Sequence, residues 1–243
     1  MKFIFVSLFP DALSQYMGKG IMGRASERGI VSLSFVDLRE FALDKHSKVD
    51  DYPYGGKPGM LIKADVLYRA ITSIDQYNDY RLLYACPKGP VFTQRQAESF
   101  ANDKGLIFFC GYYEGVDERI FDLLSIERFS LGNFILSSGE LPSLAVAEAV
   151  SRLVPGVLGN AECAVDDSIV NGLLEYPHYT APRELENGLS VPEVLVSGHH
   201  GNIEAWRRRK SLEATLFQKP SLLWDASLEE KDQHVLVEIL KEE

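Results

Sequence analysis

The sequence predicts an α/β fold: a mostly parallel sheet with flanking helices, followed by a small helical C-terminal domain. Short apolar runs alternate with amphipathic stretches through the first 159 residues, a pattern typical of strand–helix units whose strands pair in parallel. Beyond Gly159 the chain is rich in turn-forming residues before two helical stretches begin, which indicates a linker and a second domain.

The first elements follow from apolar runs and their punctuation. Residues 2–8 form a short apolar run expected to be a buried strand, and residues 31–36 a second strand. Between them, Asp11 is expected to cap a brief helix that ends at Met17. The glycine-containing residues 17–28 are expected to form a loop.

Residues 44–60 contain three glycines and two prolines and fit neither a strand nor a helix. A loop of this length is usually functional or mobile, and composition alone leaves both readings open. The apolar spacing in residues 63–76 predicts an amphipathic helix.

The middle of the chain contains the clearest local signals. Residues 81–85 read as a central strand, and Thr93 with Gln96 forms a capping box for a helix over residues 93–102. The later elements complete the alternation. They are strands at 106–110, 126–129 and 133–136, and helices at 116–124, 141–154, 202–218 and 228–240.

Composition restricts the possible functions. The net charge of −10, most of it after Gly159, argues against a general nucleic-acid binder, so any contact with RNA should be local. Against that background, the cations Arg207, Arg208, Arg209 and Lys210 stand out.

No apolar run is long enough to cross a membrane and no signal peptide is evident, so a cytoplasmic protein without a membrane partner is expected. The three cysteines are too widely spaced for a structural zinc site or a disulfide framework.

Three turns directly follow predicted strands, at residues 86–90, 111–115 and 137–139. Because the carboxyl ends of parallel strands border one crevice, these turns are expected to converge on one pocket. None is a G-x-G-x-x-G or Walker A loop, which disfavours a Rossmann-type oxidoreductase. Such turns favour a ligand held by backbone amides and carbonyls, with glycines permitting close approach.

Five segments carry distinctive motifs: CGYYEGVDER at 110–119, SGELP at 138–142, RLVPGVLG at 152–159, DDS…GLLEYPHYT at 166–180 and VPEVLVSGHHGNIEAWR at 191–207. In these motifs the sequence closely resembles the bacterial tRNA (guanine-N1)-methyltransferases of the SPOUT class, and the similarity spans essentially the whole chain. The loop at 44–60 is similar to that family as well.

The resemblance implies a trefoil-knotted domain at residues 1–159 that binds S-adenosyl-L-methionine, a flexible linker at 160–175 and a helical tRNA-binding domain at 176–243. It also implies a homodimer whose active site lies at the subunit interface. By position, the cofactor would contact Tyr84, Ala85, Pro87, Gly111, Tyr113, Glu114, Leu131, Gly132, Asn133, Phe134, Ile135, Leu136, Gly139 and Pro142.

The chemistry at guanine N1 requires few groups. Neutral guanine carries a proton on N1, so methylation there needs a base, and the charge that develops on O6 needs a donor. The resemblance assigns these roles to Asp167 and Arg152. From the residues alone, Asp167 could instead cap a short helix, and Arg152 could pair with Glu148 in the last turn of its helix.

The other candidate functional residues also have ordinary structural explanations. Glu114 favours the sulfonium electrostatically if it lies in the pocket, but could be a solvated charge. The Arg207–Lys210 cluster is the best candidate for phosphate contacts, though by default it would be a solvated helix face. No protein metal site is predicted: the pair His199 and His200 lacks a third ligand at helpful spacing, and magnesium would act without a dedicated site.

Three residues depart from the family pattern: Tyr112 replaces an arginine, Ser138 a glycine and Asn133 an aspartate.

The predicted function is methyl transfer to N1 of guanosine 37, immediately 3′ of the tRNA anticodon. The alternatives are a knotted RNA methyltransferase acting on another nucleoside, and a non-catalytic RNA- or nucleotide-binding module.

Overall fold

The structure, a computed structural model, describes residues 1–159, 169, 172–224 and 226–242. The chain divides into two compact units, Met1–Gly159 and Asn160–Glu243. The predicted functional division into a knotted cofactor domain and a tRNA-binding domain, and the knot itself, stay predictions.

The first unit is built on a five-stranded sheet in the order β2-β1-β6-β5-β7, with every neighbouring pair parallel. The predicted mostly parallel sheet is therefore confirmed. Numbered in chain order, its strands are β1 (Lys2–Ser7), β2 (Ser32–Asp37), β5 (Arg81–Ala85), β6 (Gly105–Phe109) and β7 (Ile126–Phe129), and β3 (Asp50–Asp51) pairs antiparallel with β4 (Leu61–Ile62).

Helices cover the sheet and make up most of the second unit. The first unit contains α1 (Pro10–Met17), α2 (Gly20–Glu27), α3 (Ala64–Thr72), α4 (Gln94–Phe100), α5 (Ile120–Leu123) and α6 (Glu140–Ser151). The second contains α7 (Glu193–Val196), α8 (His200–Gln218) and α9 (Glu230–Glu242). No helix among the described residues has the length and apolar character that a membrane span requires.

The core lies on both faces of the sheet because alternate strand residues point in opposite directions. In β1, Phe3 and Phe5 belong to the core layer that includes residues of α1, α4 and α6, whereas Ile4 and Val6 belong to the layer that includes α3. The Phe5 ring stacks on Phe108 with centroids 5.1 Å apart. Burial on both faces explains why these strands read as continuous apolar runs.

The structure corrects the prediction of a loop over residues 17–28, because α2 lies there. Its inward side buries Met22 and Ala25. Gly23, which looked like a helix breaker, allows close packing: a Cβ atom there would lie 2.2 Å from the Gly18 carbonyl oxygen. The glycine therefore allows α2 to pack closely against the backbone at the C-terminal end of α1.

Several element boundaries also differ from the predictions. The first helix begins at Pro10 with Phe9 as its N-cap, and Asp11 lies in its first turn. Proline suits a first helical position because it has no amide hydrogen to leave unpaired. Residues 133–136 form no strand, and α5 is shorter than the helix predicted over 116–124. The strand β5 lies inside the sheet, as predicted, because it pairs with β6 on one side and β7 on the other.

The second unit has a small apolar core of its own, formed by Leu173, Leu212 and Ile239. The Leu174 amide donates to Thr215 Oγ1 at 2.8 Å, and Ser211 Oγ donates to the Leu174 carbonyl. Part of the segment predicted as a linker is therefore held against α8.

Candidate active site

A cavity of about 330 Å³ lies at the carboxyl ends of β5, β6 and β7. The turns that follow these strands line it, together with the first turn of α6. This volume lies within the range typical of small-molecule sites. The topology therefore brings the three turns into one site, as expected for parallel strands.

Two glycines bring the backbones of neighbouring turns into contact. The Gly139 amide donates to the Gly111 carbonyl at 2.7 Å. A Cβ atom on Gly139 would lie 2.6 Å from the Gly111 nitrogen, and one on Gly111 would lie 2.8 Å from the Tyr84 ring. Neither position has room for a side chain, so the cavity wall here is backbone.

The turn after β6 is fixed by the end of the 44–60 loop. The Glu114 amide donates to the Met60 carbonyl at 3.1 Å, and the Ile62 amide donates to the Gly115 carbonyl at 3.0 Å. The Glu114 side chain lies against Gly59, where an added Cβ atom would be 2.2 Å from Glu114 Cγ. This end of the loop thus supports the turn that lines the cavity.

Tyr84 forms a buried aromatic surface in the cavity. Its ring stacks on Phe109 with centroids 5.2 Å apart. Burial raises the pKa of Tyr84 to about 12, so its hydroxyl stays protonated at neutral pH and can donate a hydrogen bond.

The turn after β7 is held at its first residues by a hydrogen bond and exposes apolar side chains further along. Ser130 Oγ accepts from the Gly132 amide at 3.1 Å, and Gly132 adopts φ +153°. Phe134 and Ile135 are 55% and 84% exposed. Exposed apolar residues beside a cavity are typical of a surface that binds a ligand or another chain.

Thirteen of the fourteen residues predicted to contact the cofactor line this cavity; Asn133 is exposed and does not. Their roles as cofactor contacts stay a prediction. Seven further residues line the cavity without having been predicted as cofactor contacts: Cys86, Tyr112, Gly115, Phe129, Ser130, Ser137 and Ser138. Five of them belong to the turns expected to converge on the pocket, whereas Phe129 and Ser130 were missed.

A buried polar group supports the cavity from the first turn of α6. Glu140 is 8% exposed, and its Oε1 accepts from Ser7 Oγ at 2.6 Å. Nearby, Cys110 Sγ lies 3.5 Å from Ser143 Oγ, and burial raises the pKa of the Cys110 thiol. The Ser7–Glu140 bond ties the N-terminus of α6, and with it Gly139, to the end of β1.

The two predicted catalytic residues are not both at this cavity. Arg152 is the C-cap of α6 and lines a separate cavity of about 670 Å³ bordered by α1 and α2. Glu148, its expected partner, accepts from Tyr16 Oη at 3.1 Å in the same cavity. Asp167 lies outside the described residues.

The four predicted RNA-contacting cations lie on α8. Three are paired with carboxylates inside the second unit. The partners are Asp232 for Arg208, Glu238 and Glu242 for Arg209, and Glu213 for Lys210. Arg207 instead lies over the Tyr176 ring, 5.0 Å from its centroid.

Within the described part of the chain, no cluster of three or more His, Cys, Asp or Glu side chains could hold a metal ion.

The fold and the cavity define an α/β protein with a parallel sheet and a pocket at the carboxyl ends of its strands, which is where proteins of this class bind their ligands. Residues 1–225 match the family described as tRNA (Guanine-1)-methyltransferase TrmD, and the chain belongs to that family.

Relatives named tRNA (guanine-N(1)-)-methyltransferase are similar over nearly their full length. The protein of Pelotomaculum thermopropionicum is 44% identical over 99% of this chain and 96% of its own length. That of Halalkalibacterium halodurans is 44% identical over 100% and 99%, and that of Bacillus cereus 42% identical over 100% of both chains.

Proposed function

We propose that this protein transfers a methyl group from S-adenosyl-L-methionine to N1 of guanosine 37 in tRNA. The observation that carries the proposal is the meeting of thirteen predicted cofactor residues in one cavity of a chain that belongs to this methyltransferase family. A knotted form of the sheet is part of the proposal.

The residues present fit S-adenosyl-L-methionine. Gly111 and Gly139 lie in tightly packed turns without room for a Cβ atom, so the cavity wall presents main-chain groups to a polar ligand there. Tyr84 supplies an apolar ring face with a protonated hydroxyl. The Glu114 carboxylate supplies negative charge, which favours a sulfonium cation.

The bound cofactor supplies an electrophilic methyl group. We propose that the Asp167 carboxylate takes the N1 proton as the N1–methyl bond forms, and that Arg152 donates a hydrogen bond to O6, where negative charge develops. Loss of the methyl group turns the sulfonium into a neutral thioether, so the charges balance with the proton on the carboxylate. A magnesium ion, if it assists, would bind without a dedicated protein site.

We propose that two copies of the chain form the enzyme, with the active site at their interface, in the cytoplasm. Arg152 lines a cavity distinct from the proposed cofactor cavity of the same chain, and a second copy could bring the two together. We propose further that Asp167 comes from the copy that holds the cofactor and Arg152 from the other copy. Mixing the inactive variants Arg152→Ala and Asp167→Ala should then restore methyl transfer, since one of the two sites in a mixed dimer keeps both residues. Mixtures that stay inactive although subunits exchange would argue against a shared site.

Labelled methyl transfer to unmodified tRNA tests the reaction. A transcript with guanosine 37 should accept label, whereas the same transcript with adenosine 37 should not. Equal labelling of both would favour an enzyme for another nucleoside. Absence of cofactor binding in calorimetry would favour a non-catalytic RNA-binding module.

A further inference from the structure

Arg207 differs from the other three cations of its cluster in its surroundings. It is exposed, and among the described residues no carboxylate lies within 4.0 Å of its guanidinium. Its guanidinium stacks on the Tyr176 ring. A cation held in place by an aromatic ring, with no carboxylate to neutralise it, remains available to an incoming anion.

Arg207 lines a cavity of about 420 Å³ that lies wholly within the second unit. Aromatic rings and cations share its wall with apolar residues, and no Asp or Glu among the described residues lines it. The Tyr176 ring lies 4.7 Å from that of His178, and the Tyr179 ring, 48% exposed, lies 6.3 Å from that of Trp206. The cavity thus combines flat faces with positive charge in a unit whose net charge is negative.

Two other basic groups line this cavity and both have partners outside its wall. Arg183 pairs with Glu193 at 2.8 Å, and His178 Nε2 lies 2.8 Å from a Glu175 carboxylate oxygen. These pairs hold the wall in position, while Arg207 supplies the charge for a ligand. Aromatic faces that stack on bases, beside an arginine that contacts phosphate, are the usual means of binding unpaired nucleotides.

We infer that this cavity binds one unpaired nucleotide of the tRNA substrate, with its base against Tyr176 or Tyr179 and a phosphate on Arg207. The inference rests on the proposed function for the identity of the RNA. It also divides the predicted cation cluster: Arg207 contacts RNA, whereas Arg208, Arg209 and Lys210 stabilise the second unit.

Matched variants on the same helix test the role of Arg207. Binding of an unmodified tRNA transcript to the full-length protein should weaken about tenfold in Arg207→Gln, and the slope of log K against log salt should fall by about 0.7. Arg209→Gln, which removes the same charge from a carboxylate-paired side chain, should change tRNA affinity less than twofold. Both variants should bind S-adenosyl-L-methionine as the wild type does. Unchanged tRNA affinity in Arg207→Gln, or equal losses in both variants, would overturn the inference.

A second pair of variants tests stacking. Tyr179→Leu should weaken tRNA binding several-fold, whereas Tyr179→Phe, which keeps the ring, should bind like the wild type. Equal tRNA binding by both variants would exclude Tyr179 as a stacking face. The variants Tyr176→Leu and Tyr176→Phe would then test Tyr176 in the same way. If neither ring matters, the cavity does not hold a base.

Failure of the inference can be distinguished from failure of the proposed function by assaying methyl transfer in the same preparations. Wild-type protein that methylates tRNA, with tRNA affinity independent of Arg207, would refute the inference alone. Wild-type protein that binds tRNA through Arg207 but transfers no methyl group would refute the proposed function alone.

Discussion

Gly139 is the residue at which one added carbon should act most directly on the cofactor cavity. In Gly139→Ala, the new Cβ atom would lie 2.6 Å from the Gly111 nitrogen and 3.0 Å from Cys110 Cα, so backbone must move. Such overpacking costs about 1–3 kcal/mol. We expect at least a tenfold loss of S-adenosyl-L-methionine affinity in calorimetry.

The control for this change is Gly201→Ala on α8, where an added Cβ atom meets nothing within 4 Å. That variant should keep cofactor affinity and should be slightly more stable, because alanine favours a helix over glycine. Wild-type affinity in Gly139→Ala would show that the contact between the two turns does not shape the cofactor site.

Ser7 is a second residue whose small side chain has a large predicted effect. It is fully buried; its Oγ accepts from the Phe9 amide at 2.8 Å and donates to Glu140 Oε1 at 2.6 Å. The other carboxylate oxygen, Glu140 Oε2, has no hydrogen-bond partner among the described residues. Ser7→Ala would leave a buried carboxyl group without its donor, at a cost of about 1–3 kcal/mol in unfolding free energy.

Urea unfolding checks the Ser7 prediction. Ser14→Ala is the control, because the Ser14 hydroxyl is exposed and donates to the Asp11 carbonyl. The control should change stability by less than about 0.5 kcal/mol. Equal stability of the two variants would mean that the Ser7–Glu140 bond contributes little.

At the scale of elements, the pairing of α8 with α9 depends on the ion pair between Arg208 and Asp232. The Asp232 side chain is 1% exposed, and hydrogen bonds from Arg208 hold its pKa below the usual value. A lowered folded-state pKa means that the stabilisation is present above the carboxyl's unfolded pKa and is lost as pH falls through the folded pKa.

The second unit should therefore lose stability on acidification below about pH 5, and Asp232→Asn should reduce that dependence. Unfolding by urea at several pH values, followed by circular dichroism, measures it. Asp65→Asn is a suitable control, because Asp65 is 61% exposed in its pair with Arg69. The same pH dependence in Asp232→Asn as in wild type would contradict this role.

The elements show which local signals were sufficient. The helix α4 carries the predicted capping box between Thr93 and Gln96, and β1 lies where its apolar run indicated. Glycine content was misleading for α2, because it favoured a loop over residues 17–28. In the structure Gly23 lies within the helix and allows tight packing. The strand prediction also failed at 133–136, where apolar residues border a cavity instead of pairing in a sheet.

At the scale of the whole molecule, the convergence of the turns after β5 and β6 could be predicted because parallel topology places strand ends together. Residues 137–139 also line the cavity, although the strand expected directly before them does not form. Contacts that join distant segments could not be predicted in the same way. The Glu114–Met60 hydrogen bond and the burial of Ser7 beside Glu140 depend on the folded arrangement, which no local pattern encodes. The distinction between Arg207 and its neighbours Arg208 and Arg209 likewise depends on α9, which carries the carboxylates that pair with those two.

Analysis of the methylated tRNA tests the central claim most directly. After incubation with S-adenosyl-L-methionine, digestion of the transcript to nucleosides should yield 1-methylguanosine, and reverse transcription should stop one nucleotide 3′ of position 37, where the modified base cannot pair. Product that contains another methylated nucleoside, or a stop at another position, would contradict the account.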